Sequence, residues 1–442
     1  MESNVITKLR PHVLAIVWNG KLPKRTPRAV CFKMRHMIRQ PLRPSSTHLL
    51  FAVTPCQLVA TLRAPDARDR LKWMPDTLQP FRDVDLLSLP RPALKALFAQ
   101  AGHPAFRAEQ LFRWLHVRLE RDWTCMTDLP AKLRAELAEA RTLAVLVPRL
   151  DRVSALDASQ KIVLHTDDDH AIETVIMPME SGHITQCLSS QVGCKMGCDF
   201  CATARLPVRQ DLTAGQIVEQ VAHACRLGFA LGLRRGGVAG GEEGPLSARP
   251  HNLVFMGMGE PLDNLQAVIA ALDILCDPKG FDFSPRRITV STAGVAKNVA
   301  KLIAAHPHVN LAWSLTATTD AVRDRLMPVN RGVPIRKMVD VLLALPASAH
   351  RKITFEYALL KGVNDSEDDA RRLAAMAREL DAHVNAIPFN AWPGADYQRP
   401  ERMVIAQFVD VARRAGASVT LRESKGQDIG AACGQLAGET AA

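Results

Sequence analysis

An α/β fold with a parallel sheet, open or rolled into a barrel, is what this sequence predicts. Three observations lead there. From about residue 145 onward, short β-rich runs alternate with helical segments, the order that crossover units give a parallel sheet. Hydrophobic residues make up 47% of the chain, ample for a large buried core. A length of 442 residues leaves room for two or three domains, and a compact helical stretch precedes the alternating region.

The expected strands cover 184–189, 252–256, 287–291, 309–314, 352–359 and 383–388, with a seventh at 418–422. Helices fit between them, for example at 214–227 and 264–276. Thr213 and Gln216 have the spacing of a capping box and start the first of these. The stretch 228–250, rich in Gly and charge, reads as a flexible insertion. In the helical stretch at 83–145, Phe106, Leu111, Phe112, Trp114 and Leu115 recur at helical spacing within 104–118, and 130–141 gives a second amphipathic helix. These apolar residues are read as core.

The net charge of +11 belongs almost wholly to one end. Residues 1–80 hold 14 Lys and Arg against 4 Asp and Glu, a balance of +10, which leaves +1 for the rest. This basic extension lacks sustained periodicity and is expected to be poorly ordered. It could contact phosphates, but a solvated tail is the commoner fate of such a run and is weighted ahead. Its Arg-rich, acid-poor character loosely resembles a transit peptide, with nothing sharper in support. No run of eighteen apolar residues occurs, the stretch near 48–62 being broken by Pro55, and no cleavable leader is evident in 1–30. A cytoplasmic protein with no membrane contact is therefore expected, and nothing calls for more than a monomer.

Ten cysteines stand at positions 31, 56, 125, 187, 194, 198, 201, 225, 276 and 433. Four crowd into 187–201, the pattern of a metal site in a reducing compartment and not of a disulfide framework. The sharpest motif is Cys194-Lys-Met-Gly-Cys198-Asp-Phe-Cys201. Three thiolates in one short loop can hold a [4Fe–4S] cluster and leave one iron without a protein ligand. That iron could take the amino and carboxylate groups of S-adenosylmethionine, whose sulfonium an electron from the cluster would cleave to a carbon radical. Structural zinc is the competing reading, but it wants four ligands, and Cys187 lies upstream on the strand itself.

Parallel α/β folds gather their sites where strands end. After the second expected strand comes Met256-Gly-Met-Gly-Glu-Pro261, whose glycines would let backbone approach a ligand and whose Glu260 could accept from an ammonium. Ser291 closes the third strand, Ser314 the fourth, and Asn390 follows the sixth. Singly these residues read as turns and caps; together they describe a pocket. Cys433, in a small-residue tail, would on its own be taken as inert.

Several stretches resemble the radical-SAM adenine-C2 methyltransferases of large-subunit ribosomal RNA and transfer RNA. They are Cys187-Leu-Ser-Ser-Gln-Val-Gly-Cys194, Phe255-Met-Gly-Met-Gly-Glu-Pro-Leu262, Thr289-Val-Ser-Thr-Ala-Gly-Val295, Arg325-Leu-Met-Pro-Val-Asn330 and Ala431-Ala-Cys-Gly-Gln-Leu436. The resemblance covers 83–438 and leaves out 1–80. It implies a partial (β/α)6 radical-SAM barrel at 146–438, ending in a cysteine tail, behind a helical accessory domain at 83–145 that contacts RNA. It also implies two molecules of S-adenosylmethionine per turnover, a reductant protein for the cluster, and ribosomal RNA as substrate with transfer RNA as a further candidate.

The resemblance gives Cys433 a role. One S-adenosylmethionine methylates it; a second, cleaved at the cluster, yields a deoxyadenosyl radical that takes hydrogen from the S-methyl group. The methylene radical adds to the base, and Cys187 resolves the thioether crosslink as a transient disulfide. Glu173, in Ile172-Glu-Thr-Val-Ile176, matches the proton acceptor, although a surface Glu on a strand is the commoner case. Gly259, Glu260, Ser291, Ser314, Leu315, Thr316 and Asn390 match contacts to S-adenosylmethionine. The family reads Ser-Leu-His where this chain has Ser314-Leu-Thr316, so a contact through imidazole is lost or rebuilt there. Methylation at C8 of adenine is the close alternative, and a zinc-bearing RNA-binding protein without catalysis the distant one.

Overall fold

A computed structural model describes residues 80–437 apart from 141–142, 144, 234–243 and 347–352. The basic extension and the middle of the 228–250 insertion lie outside the described residues.

Helices α1 (Arg91–Gln100), α2 (Ala105–His116) and α3 (Ala131–Glu139) pack around a core of their own that includes Leu94, Phe98, Leu111, Phe112, Leu115 and Leu137. Phe106 is not part of it. It is 53% exposed with the Arg107 guanidinium over its ring, because five residues before Leu111 puts it roughly 140° around the helix from that buried position.

The accessory helices rest on α4 (Ala214–Ala230), whose capping box forms as expected: Thr213 Oγ1 accepts from the Gln216 amide at 3.1 Å, and Gln216 Oε1 from the Thr213 amide at 3.0 Å. The Gly215 amide donates to Ser88 Oγ at 2.7 Å, and a Cβ on Gly215 would lie 2.8 Å from that of Leu87. Deeper in the contact, Glu219 is buried between the guanidinium groups of Arg121 and Arg226. The far end of α4 reaches into the expected insertion, where Pro245–Ala248 forms a 3-10 turn and a Cβ on Gly228 would meet that of Ala248 at 3.1 Å.

The main sheet has ten strands. All seven expected strands are present: β4 (Ile184–Cys187), β7 (Asn252–Phe255), β8 (Ile288–Thr292), β9 (Asn310–Ser314), β10 (Thr354–Leu359), β11 (His383–Pro388) and β12 (Ser418–Leu421), paired in parallel in that order. Helices α5 (Leu265–Leu275), α6 (Ala296–Ala305), α7 (Asp320–Leu326), α8 (Ile335–Leu343), α9 (Glu367–Glu379) and α10 (Arg402–Arg414) lie between successive strands. Strand β10 illustrates the layering. Phe355, Tyr357 and Leu359 are fully buried on the helix side, Tyr357 stacking on Phe408 of α10 at 5.5 Å, while Glu356 and Ala358 face a cavity. Period-two alternation separates the two faces.

Three further strands, β1 (Val147–Val153), β2 (Gln160–His165) and β3 (Ala171–Pro178), extend the sheet beyond β4 in antiparallel register. Sequence patterning did not reveal them, for identifiable reasons. Strand β1 is an exposed edge with almost no buried face, and β2 and β3 are buried on both faces yet carry Lys161, Glu173 and Thr174. Neither arrangement leaves a clean alternation. A short pair, β5 (Gln191–Val192) with β6 (Gln210–Asp211), brackets the cysteine loop. Among the described residues, no helix is long and apolar enough to cross a membrane.

Candidate functional site

The C-terminal ends of β7 to β11 open on a single cavity of about 190 Å³. Neighbouring strands are spaced roughly 4.8 Å apart, so one cavity can touch five in succession only if the sheet curls around it. Cys194, Cys198 and Cys201 form one wall, Gly259 and Glu260 the floor, and Ser291, Ser314, Thr316, Asn390 and Cys433 the rest of the polar lining. Three expected residues are not on this surface, Cys187 being one of them. The Leu315 side chain is buried in the main core, leaving only its backbone for any ligand contact. Glu173 is fully buried in β3 and is not the surface carboxylate that its residue type would favour.

The loop after β5 is held from both sides. The Asp199 amide donates to Leu326 O at 2.9 Å, and the Asp199 carboxylate accepts from the Tyr397 hydroxyl at 2.7 Å. Met196, Cys198 and Phe200 pack against Met327, Leu360 and Phe389. Burial pushes the Cys194 thiol up to about 12 and raises Cys198 and Cys201 as well; a bound metal would displace these protons. The three thiols stand around the cavity wall. Among the described residues, no three ligating side chains close on a point as a single ion requires. Three thiol donors facing a shared cavity fit a cluster whose remaining iron would look into that cavity.

In the Met-Gly-Met-Gly-Glu-Pro turn, Gly257 and Gly259 line the cavity and are also pressed against the chain's own backbone. A Cβ on Gly257 would lie 2.7 Å from Leu188 O, and one on Gly259 2.6 Å from the Gln191 Cβ and 2.7 Å from its amide nitrogen. Only glycine lets this turn press against the segment leading to the cysteine loop, and Gly259 further takes φ 99°. The glycines thus allow a close approach of two segments of the chain itself.

Glu260 braces the floor. Its carboxylate accepts from the Leu262 amide at 3.0 Å and the Ala293 amide at 2.7 Å. Burial raises its pKa to about 7 against the opposing pull of these amides. The Thr292 side chain also hydrogen-bonds the carboxylate, which leaves one of its four lone pairs for a ligand donor. Ser291 and Ser314 share a 3.2 Å contact across β8 and β9. Asn390 donates to Ser424 Oγ at 2.8 Å and to Cys433 O at 3.2 Å, while its buried Oδ1 has no partner. An orphaned amide oxygen on the cavity wall suits a ligand bearing N–H donors, as the ammonium and adenine groups of S-adenosylmethionine do.

Thr316 turns the end of β9 in the left-handed region, φ 57°, where a β-branched residue is an outlier. Asn364 donates to its carbonyl at 2.6 Å, and the Ala317 amide closes the turn on Leu315 O at 2.7 Å.

Cys433 belongs to a second, smaller cavity as well, which it shares with Cys187, Met177, Met256 and Arg422. Both cysteines are free thiols. Burial and the neighbouring Cys433 push Cys187 up to about 12, with the Arg422 guanidinium acting in the opposite sense. Arg422 also reaches Glu356 at 3.7 Å, so it spans the two cavities.

Several site residues were not singled out from the sequence. Glu356 could have been found, since it alternates with Phe355 and Tyr357 in β10. Arg323 gave no such signal: fully buried, it donates to Leu315 O at 2.9 Å, Ala293 O at 2.6 Å, Ser314 O at 3.1 Å and Asn330 Oδ1 at 2.9 Å. That one guanidinium ties the ends of β8 and β9 together behind the cavity.

Comparison with known proteins gives three findings. Residues 84–143 match the family described as the ribosomal RNA large subunit methyltransferase N-terminal domain. The chain is 44% identical over 364 residues to the dual-specificity RNA methyltransferase RlmN of Anaeromyxobacter sp. (strain Fw109-5), covering 82% of this chain and 93% of that one. Its counterpart in Geotalea uraniireducens (strain Rf4) is 41% identical over 355 residues, covering 80% and 97% respectively. Among solved structures, a radical SAM methyltransferase from Sphaerobacter thermophilus superposes with a TM-score of 0.73 at 38% identity, covering 80% of this chain and all of that one.

Proposed function

The chain belongs to the family of the dual-specificity RNA methyltransferases RlmN, and from that premise we propose that it methylates C2 of an adenine in large-subunit ribosomal RNA, and in transfer RNA, through a methylated Cys433. The observation that carries the reading is the convergence of three loop thiols, the strand-end polar groups and a C-terminal cysteine on one cavity.

Cys194, Cys198 and Cys201 would hold a [4Fe–4S] cluster. Gly259, Glu260, Ser291, Ser314, the backbone at Leu315, Thr316 and Asn390 would hold S-adenosylmethionine, used twice per turnover. When bound, these groups supply a carbon radical by one-electron cleavage of the sulfonium.

The chain's own residues do the rest. Adenine C2 is electron-poor and carries hydrogen, so it cannot attack a sulfonium as an ordinary nucleophile; a methyl group parked on Cys433 gives the radical a C–H bond to open. Cys433 then joins the base as a thioether, the adduct giving up its unpaired electron, for which a bound cluster at Cys194, Cys198 and Cys201 would serve as acceptor. Cys187 attacks the Cys433 sulfur, an S–S bond forms as the S–C bond breaks, and the electron pair goes to the departing carbon, which takes up a proton to become the methyl group. Glu173 takes the proton lost from C2. The shared cavity of Cys187 and Cys433 supports this pairing, and Glu173 lies in the same strand face as Cys187, since Val175 pairs with Cys187 and is two residues away. A separate protein would reduce the cluster, and RNA would be met in the cytoplasm, in part through residues 83–145.

The test is anaerobic reconstitution with iron, sulfide, S-adenosylmethionine and a reductant, then mass spectrometry of nucleosides from unmodified ribosomal RNA. 2-Methyladenosine from the wild type and none from Cys433→Ala is the expected result. 8-Methyladenosine would move the target atom, and no methylated base from fully iron-loaded protein would overturn the reading.

A further inference from the structure

Strands β1 to β3 add nothing to the wall of the main cavity, yet they bury two opposite charges. Lys161 of β2 and Glu173 of β3 are 1% and 0% exposed, with Nζ and Oε2 3.7 Å apart. The same ammonium donates to the carbonyl of Gly430 at 3.3 Å. Gly430 precedes Cys433 by three residues and takes φ 63° at the end of a turn.

Other ties run from this extension to the same tail. Asp157 accepts from the Gly426 amide at 2.8 Å. Asp428 accepts from Ser154 Oγ at 2.7 Å and the Ala155 amide at 3.0 Å. Beyond Cys433 the tail changes partner: Gly434 O accepts from the Ala202 amide at 2.8 Å and Leu436 O from Thr203 Oγ1 at 2.6 Å. Cys433 is thus suspended between an anchor on β1–β3 and an anchor on the cysteine loop.

Lys161 differs from the other anchors because it is buried and charged. Its cross-strand partner is Val175, which in turn faces Cys187 across β3 and β4. Residues directly opposite in antiparallel strands point to the same side of the sheet. Lys161, Glu173, Val175 and Cys187 therefore share one face, and the tail crosses it.

We propose that Lys161 is a positioning residue whose ammonium, seated between the Glu173 carboxylate and the Gly430 carbonyl, sets the place of Cys433 against Cys187. The assignment rests on the proposed roles of those two cysteines, and it gives the antiparallel extension a function as the docking platform of the tail. A lysine used only to neutralise Glu173 would need no second contact on the tail; this one divides its donors between them.

The test separates tail positioning from simple charge pairing. Hydrogen exchange of amides 426–434 would be followed in the full chain for wild type, Lys161→Arg, Lys161→Met and the double variant Lys161→Met/Glu173→Met. Removing one partner strands a buried charge and lowers stability, whereas removing both avoids that. The double variant is expected to regain most of the thermal stability lost by Lys161→Met, while its tail amides exchange about tenfold faster or more, the size expected for loss of a hydrogen bond from a charged donor. Lys161→Arg keeps charge and donors and is expected to keep tail protection. A second measurement uses diamide as the oxidant of the two thiols: Cys187–Cys433 disulfide formation, read by peptide mapping, should slow to a similar degree in the double variant and not in Lys161→Arg. Restored stability with unchanged tail exchange and unchanged disulfide rate would overturn the proposal. So would a double variant that fails to fold, because the pair would then serve strand pairing. None of these readouts needs RNA, cluster or cofactor, so they stand or fall separately from the detection of methyladenosine.

Discussion

Asn390 donates its side-chain amide to the carbonyl oxygen of Cys433 at 3.2 Å. This residue, two past the end of β11 on the cavity wall, thereby holds the tail that enters the same cavity. Its second donation, to Ser424 at 2.8 Å, fixes the start of that tail.

Replacing Asn390 should therefore impair two things together. Asn390→Ala removes the orphaned Oδ1 facing the cavity and both donations to the tail. We expect weaker S-adenosylmethionine binding and RNA methylation reduced by about tenfold or more, on the scale of losing one or two buried hydrogen bonds. Iron content should stay at the wild-type level, because Asn390 touches none of the loop thiols. Parallel iron analysis and calorimetric titration check this, and a variant that loses iron would contradict it.

Arg422 lies in the smaller cavity with both Cys187 and Cys433. Burial and Cys433 raise the Cys187 thiol to about 12, and the guanidinium opposes them. Taking the cation away leaves the thiolate less stable, so Arg422→Met should shift the alkylation profile of Cys187 to higher pH. At a fixed mildly alkaline pH its alkylation should slow. Mass-spectrometric footprinting with iodoacetamide reads the rate at Cys187 directly, and an unchanged profile would remove Arg422 from any role in thiol activation.

Thr316 stands where the resemblance implies a histidine, in a left-handed turn with φ 57°. Histidine and asparagine are found several-fold more often than β-branched residues in that conformation, and the strain is on the order of 1 kcal/mol. Thr316→Asn and Thr316→His should each raise the denaturation midpoint slightly. Only the histidine variant should also tighten S-adenosylmethionine binding, if imidazole restores a contact. Equal affinity in both variants would mean that position 316 acts through its backbone alone.

Acid should loosen the seat of the accessory helices. His116 is fully buried against Phe112 and Phe281, neither ring nitrogen has a hydrogen-bond partner, and burial lowers its pKa from 6.5 to about 3. It stays neutral in the fold while the unfolded chain binds a proton below 6.5, so stability falls as pH drops through that value, by roughly 2 kcal/mol at pH 5. For Glu219, burial favours the neutral form, but Arg121 and Arg226 outweigh it and hold the carboxyl below its ordinary range. Its contribution is present above the unfolded carboxylate pKa and is lost at still lower pH. Urea midpoints measured between pH 7 and pH 5 should decline, and His116→Leu should flatten that decline.

What the sequence determined by itself is what a few neighbouring residues decide. The seven parallel strands, the capping box at Thr213 and the C-x3-C-x2-C loop were all legible, because alternation, end-capping and ligand spacing act over fewer than about ten residues. The presence of Glu260, Ser291, Ser314 and Asn390 on one cavity followed from the rule that parallel strands end on a common side. The tertiary structure alone decided the antiparallel extension, the burial of Glu173 beside Lys161, and the reason Gly257 and Gly259 must be glycine. It also decided that Phe106 lies outside the core and that Leu315 offers only backbone to the cavity. Each of these depends on which distant segment arrives opposite: Gly430 lies 269 residues from Lys161, and no local pattern records that meeting.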